Sequence, residues 1–350
     1  MPTEHGQVTA QNGNGRMQSV DIVRAMAIVF VVFGHALIYA DRGELLMRAI
    51  YAFHMPLLFV LSGLVAAASW ERSAGCTPSA QAQPATNGLA ALRKVGRSAR
   101  RLLLPYAACG LVVMPTVNFL LTGRFATSFE NGWRNAFLLN RFLWYLPCCF
   151  FLTCIFTAVA LFSRRLHGAR WLGAVAAAFA VVAATHLALP GIDFLRSVAS
   201  YFISFFAGAW LWSRRDGILH PARGTLVLSS IALAVLVALH ASIPEMPLLA
   251  KGVVKSLAGV AAFFPLMAIA NAARGLAASA AAHVGRTTLF LYCFDFCATP
   301  IAVWYLHPGD ILSSFAVAAG VVVTGLFVNL AWEYAILPEL RRMMTPASPD

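Results

Sequence analysis

An all-α, polytopic transmembrane helical bundle of about ten spans is the fold class that three observations predict. Of 350 residues, 60% are hydrophobic and only 11% charged. The mean hydropathy is +0.73. Apolar runs of about 20 residues, the length that crosses a bilayer, recur along nearly the whole chain. A soluble domain carries about a quarter charged residues, and a disordered chain has few large apolar ones, so both classes are excluded. The net charge of +12 has no soluble domain to present it as a basic face. Membrane lipids, and no nucleic acid, are therefore the expected partners of the surplus charge.

Residues 1–19 are polar and Gly/Asn/Gln-rich, with neither a basic n-region nor a small-residue cleavage site. They read as a disordered cytoplasmic tail before a first span that stays in the mature protein. Spans follow at 20–40, 49–69, 101–121, 142–162, 171–190, 197–213, 225–243, 253–273, 286–306 and 311–333. The longest loop, 70–99, is a Pro/Ala/Ser/Gln-rich linker ending in the basic, helical-looking stretch Leu92 to Arg101. Residues 341–350 form a second cytoplasmic tail, and 20–340 read as one membrane domain with no internal repeat.

Orientation comes from the Lys and Arg residues. With the N-terminus inside, the inner segments hold seventeen of them; the outer ones hold Arg42, Arg48, Arg124, Arg134, Arg141, Arg196, Lys251 and Lys255. The bias predicts both termini in the cytoplasm, as does an even number of spans. Six of the seven cysteines lie in apolar runs, so no disulfide framework is expected. Cys293 and Cys297, one helical turn apart, lack nearby histidines and read as filler; no metal site is predicted.

An ionisable residue inside a span is costly, which makes each one a functional candidate. The first span carries Asp21, Arg24 and His35. Arg24 and His35 are eleven residues apart, which at ~100° and 1.5 Å per residue places them on one face, ~16 Å apart along the axis. Asp21, one turn before Arg24, can pair with it. The second span opens Tyr51-Ala-Phe-His54-Met-Pro56 and continues to Ser62-Gly63. Its proline suits a first helical turn, and its Ser-Gly suits close packing. If spans one and two are adjacent, His54 can approach His35; a packing hydrogen bond is the other reading of either histidine.

Arg93, Arg97, Arg100 and Arg101 recur at i+4 and i+3, a cationic stripe whose guanidinium forks suit phosphate oxygens. Lipid headgroups and topology offer the plainer explanation. Asp295 lies about nine residues and ~13 Å beyond Arg286, near mid-bilayer, and needs a partner among His35, His54 and the arginines. Glu333 ends the last span, where an interfacial place accounts for it. Trp144 and Tyr145 either stack on a sugar or belong to an interfacial aromatic belt.

Four of these elements resemble motifs of the integral-membrane acyltransferase-3 family. They are Arg24 to His35 (Arg-x10-His), Phe53-His54-Met55-Pro56-Leu57-Leu58-Phe59 with Ser62-Gly63, Arg97-x-x-Arg100-Arg101 before Leu104-Pro105-Tyr106, and Leu143-Trp144-Tyr145-Leu146. The resemblance spans essentially residues 20–340 and is similar in extent to the family's short members. Two departures stand out. The family's ninth helix usually carries a His where this chain has Asp295, and its terminal Glu-Arg-Pro ending is only loosely echoed by Glu333 and Pro338.

The resemblance implies a bacterial cytoplasmic-membrane enzyme moving an acyl group, acetyl in the first instance, from acyl-CoA to a hydroxyl of a glycan or lipid-linked saccharide. It implies no permanently bound cofactor. Arg97, Arg100 and Arg101 would hold the donor's phosphates, Arg24 would orient it, His35 would be base or nucleophile, and His54 and Asp295 would support it. Trp144 and Tyr145 would meet the acceptor. A proton-coupled transporter or flippase of a glycan or small anion is the competing reading, since intramembrane Arg, His and Asp fit that chemistry too. The missing repeat and the absence of paired broken helices tell against it.

Overall fold

The computed structural model describes residues 17–41, 43–73, 84–113, 115–117, 119, 123, 143–163, 166–189, 192–218, 220–243 and 245–336. Eleven helices organise them: α1 Gln18–Ala40, α2 Glu44–Ser73, α3 Pro84–Ala108, α4 Tyr145–Ser163, α5 Ala169–Ala188, α6 Asp193–Trp212, α7 Arg223–Ser242, α8 Leu248–Ala272, α9 Gly275–Arg286, α10 Thr288–Leu306 and α11 Ile311–Ala331. A single turn, Arg215–Ile218, follows α6, and π-helical turns at Cys109–Val113 and Trp332–Ile336 follow α3 and α11. Among the described residues nine helices are long and apolar enough to cross a membrane. The predicted tenth, 101–121, falls partly on residues outside the description.

Three local differences from the expected pattern have simple causes. Helix α2 begins at Glu44, so Pro56 is interior rather than in a first turn. Pro56 is buried, and Gly259 of α8 packs directly against it, so close contact with a neighbouring helix supports the interrupted turn. Helix α3 starts at Pro84, within the stretch read as linker, with proline at the helix start where its missing N–H costs nothing. The predicted inner loop after α8 contains α9, an Ala-rich helix of strong propensity. The two tails, 1–16 and 337–350, and the linker centre, 74–83, lie outside the described residues.

The chain forms two compact units, Met1–Met47 with Ala272–Asp350, and Arg48–Asn271. In the first, α1 packs against α9, α10 and α11, and α10 packs against α11. Gly285 of α9 sets the closest approach: a Cβ there would collide with the Asp21 carbonyl oxygen of α1. In the second, α4 packs on α3, α5 and α6. Helix α2 meets α6 through reciprocal glycines, Gly63 against Phe205 and Gly208 against Val60, where any side chain would strike backbone. With little hydrophobic force between helices in lipid, such close backbone contact supplies the dispersion energy that holds a bundle together.

Candidate active site

In the first unit the polar residues of two helices converge. His35 of α1 and Asp295 of α10 meet, with Nδ1 2.6 Å from Oδ2. Thr299, one turn further along α10, donates its hydroxyl to Asp295 Oδ1. Asp295 is 1% exposed, so its charge has been removed from solvent and depends on these two donors. With Asp295 ionised, and so acceptor-only, the ring donates from Nδ1 and leaves Nε2 as the nitrogen that can exchange a proton. The His35 side chain is 21% exposed, enough for a small group to reach it. A carboxylate that fixes tautomer and ring orientation is what a general-base histidine requires. The residue that departs from the family's usual His is thus the direct partner of His35.

Arg24 lies at the other end of α1, its Nη1 3.7 Å from Asp21 Oδ1, a distance at which the pair is electrostatic rather than tightly hydrogen-bonded. Tyr39, one turn beyond His35, holds its ring centroid 6.3 Å from the imidazole and lies within electrostatic reach of Asp295. Spacing from His35 was the only sequence signal for Tyr39. Glu333 is exposed in the turn after α11.

His54 belongs to the second unit. It is 1% exposed, its Nδ1 donates to the Ile50 carbonyl 2.7 Å away, and its ring stands edge-on to Tyr51 at 4.6 Å. Arg93, Arg97 and Arg100, with Gly96, line an open cavity of about 530 Å³ beside α3, and all three guanidinium side chains are exposed, as is Arg101. The residue between them behaves oppositely. Lys94 is 4% exposed; its ammonium donates to the Ala66 carbonyl at 2.6 Å and lies 5.3 Å and 5.0 Å from the Trp70 and Phe156 ring centres. Burial, reinforced by the charges of Arg97 and Arg72, pulls it down from 10.5 to about 7. Its place about a quarter turn round the helix from the 93/97/100 face was the signal available in the sequence.

Trp144 and Tyr145 begin α4, directly after Leu143, a fully buried non-glycine residue held at φ 44°. After this left-handed turn the Trp144 ring meets Phe59 of α2 and Tyr201 of α6, and the Tyr145 ring meets Phe59. Ser62 Oγ donates to Leu58 O, so its single hydrogen is used and the Tyr145 hydroxyl, 2.7 Å away, donates to it. Phe59 stacks on Tyr201 at 4.6 Å, and Trp144 lies 5.1 Å from the same tyrosine. Tyr201 carried no motif and was invisible in the sequence. Trp144 and Tyr145 are both half-buried, and the Tyr145 hydroxyl is used inside the cluster.

A polytopic helical membrane protein with a carboxylate-oriented histidine inside one unit and a cationic groove on the other is the class that these features define. Residues 17–336 match the family model described as an acyltransferase domain, and the chain belongs to that acyltransferase-3 family. It is also similar to the nodulation protein NolL of Sinorhizobium fredii (strain NBRC 101917 / NGR234), 27% identical over 252 residues that cover 67% of this chain and 60% of the relative. No solved structure matches the chain.

Proposed function

We propose that this protein is an O-acyltransferase of the bacterial inner membrane that moves an acyl group, acetyl by preference, from cytoplasmic acyl-CoA to a hydroxyl of a cell-envelope or exported glycan. Both termini face the cytoplasm in this reading, as the Lys/Arg asymmetry favours. The observation that carries it is the Thr299, Asp295, His35 chain of hydrogen bonds. Coenzyme A is too highly charged to cross lipid; its phosphates are assigned to Arg97, Arg100 and Arg101, whose guanidinium forks suit them, and its thioester to His35. Arg24 orients the donor at the mouth of its unit.

The acceptor oxygen attacks the thioester carbonyl carbon as its proton passes to His35 Nε2. Asp295 stabilises the imidazolium that forms. The carbon–sulfur bond then breaks, and the thiolate leaves as free thiol after taking that proton. In the covalent variant Nε2 attacks first, the thiol departs, and the acyl-imidazole passes its acyl group to the hydroxyl. Either route converts one thioester and one hydroxyl into one ester and one thiol. His54 is assigned a supporting part in the reaction, and Trp144 and Tyr145 are assigned to the sugar, against which an aromatic ring can stack.

Purified protein supplied with acetyl-CoA and a saccharide acceptor is expected to release thiol in proportion to acceptor acylated, and His35→Ala is expected to abolish that release. Undiminished thiol release by the variant sinks the assignment. A transporter would move its solute and release none. Acyl-histidine trapped by rapid quench in the absence of acceptor would select the covalent route.

A further inference from the structure

Three lysines occur in the whole chain, Lys94, Lys251 and Lys255, against 26 Lys and Arg together. Two of the three sit one turn apart at the start of α8, in the second unit, where like charges at i,i+4 repel each other. Arg48, near the start of α2, extends to the same place and donates to the Ala241 carbonyl at the end of α7, 3.4 Å away. Between them lies His240. It is 6% exposed, its buried Nδ1 has no hydrogen-bond partner among the described residues, and the charges of Lys255, Lys251 and Arg48 all act on its ring.

A fold gains nothing by gathering these groups for their own sake. A buried imidazole nitrogen without a partner has lost its water, and three cations raise the local potential. The N-terminus of α8, a helix of 25 residues, adds its own partial positive charge and unsatisfied N–H groups. Two acids lie nearby: Glu44, one turn before Arg48, and Glu245, the sole acid in the connection from α7 to α8, which is exposed. Four features at this place favour an oxyanion: the ammonium point charges of Lys251 and Lys255, a guanidinium steered by a backbone bond, a helix N-terminus, and a buried ring nitrogen. It is also remote from the α3 stripe, because Arg48 and Ala66, the carbonyl that Lys94 holds, are eighteen residues apart on α2, ~27 Å along its axis.

We infer that Lys251, Lys255, His240 and Arg48 form a second anion site, at the far end of α2 from the arginine stripe, that takes a phosphate group. Such a group arrives either on a phospholipid head or on a phosphate-linked soluble or prenyl-bound ligand. The site does not depend on acyl transfer, and its test does not read turnover.

The scarcity of lysine makes amine labelling selective. Wild-type protein in phosphatidylcholine nanodiscs is labelled with a water-soluble N-hydroxysuccinimide acetate, with and without inorganic pyrophosphate, and Lys251 and Lys255 are followed by mass spectrometry. Pyrophosphate is expected to slow labelling of both by at least about fivefold, while the N-terminal amine is unaffected. The protection is expected to persist in Arg97→Gln/Arg100→Gln and to fall in His240→Ala. Slowing that appears only when phosphatidylglycerol replaces phosphatidylcholine assigns the site to a phospholipid head. Equal rates in pyrophosphate, in phosphatidylglycerol and in neither overturn the inference, as does equal protection of the N-terminal amine.

Discussion

The two units use ionisable residues in opposite ways. In the first, charge is interior and paired: Asp295 is 1% exposed and bonded on both oxygens, to His35 and Thr299. In the second, the α3 arginines are exposed along an open cavity, and their one buried neighbour, Lys94, is held by a carbonyl and two rings rather than by an acid. Proton transfer requires one atom held in one orientation, away from competing water, which a buried carboxylate provides. Binding a large, flexible polyanion requires reachable charge, and exact geometry matters less. In the function proposed above, catalysis belongs to the first unit and donor capture to the second.

The sharpest way to break that division is His35→Ala, expected to lower turnover by at least about 10³-fold while leaving acyl-CoA binding within about twofold, measured by thiol release and by calorimetry. Asp295→Asn keeps the shape of the pair but offers Nδ1 a different partner, and a loss of about 10²-fold in kcat with unchanged KM for acyl-CoA is expected. Arg97→Gln/Arg100→Gln tests the other side. It is expected to raise KM for acyl-CoA by roughly tenfold or more, with kcat little changed, and to weaken the dependence of KM on salt. A large fall in kcat there would erase the distinction between the units.

Packing offers a smaller effect. Gly285→Ala forces a Cβ onto the Asp21 carbonyl and is expected to cost about 1–3 kcal/mol, read as a lower melting temperature. The smallest effect concerns Lys94. The unfolded chain holds its proton up to about 10.5 and the folded chain only to about 7, so unfolding takes up a proton between those values and stability rises with pH across that window. Wild-type melting temperature is expected to climb on the order of 2–5 °C through this range from Lys94, and Lys94→Met to remove that increment.

Much of the site was legible along α1, because helical periodicity is local: Arg24 and His35 share a face whatever surrounds them. Asp295 was legible as a costly mid-span acid, but its partner was open among several residues. The pairing with His35 joins positions 260 apart in the chain, and no local rule selects it. His54 was legible from its motif, whereas its carbonyl bond to Ile50 is a local contact that helix geometry supplies. Lys94 was counted among topology charges, yet it is buried where its arginine neighbours are not. The grouping of Arg48, His240, Lys251 and Lys255 draws on three helices and was equally hidden.

Hydropathy is a sum over consecutive residues, so spans, their approximate limits and the likeness to a family were already present in the chain of letters. Which buried acid serves which histidine, which lysine lies inside and which tyrosine joins the Trp144 cluster depend on how helices approach one another. Glycines 63, 208 and 285 control that approach by permitting backbone contact. In a low-dielectric interior each polar group must find a partner from whatever the neighbouring helix presents, and that choice exists only once the helices are assembled.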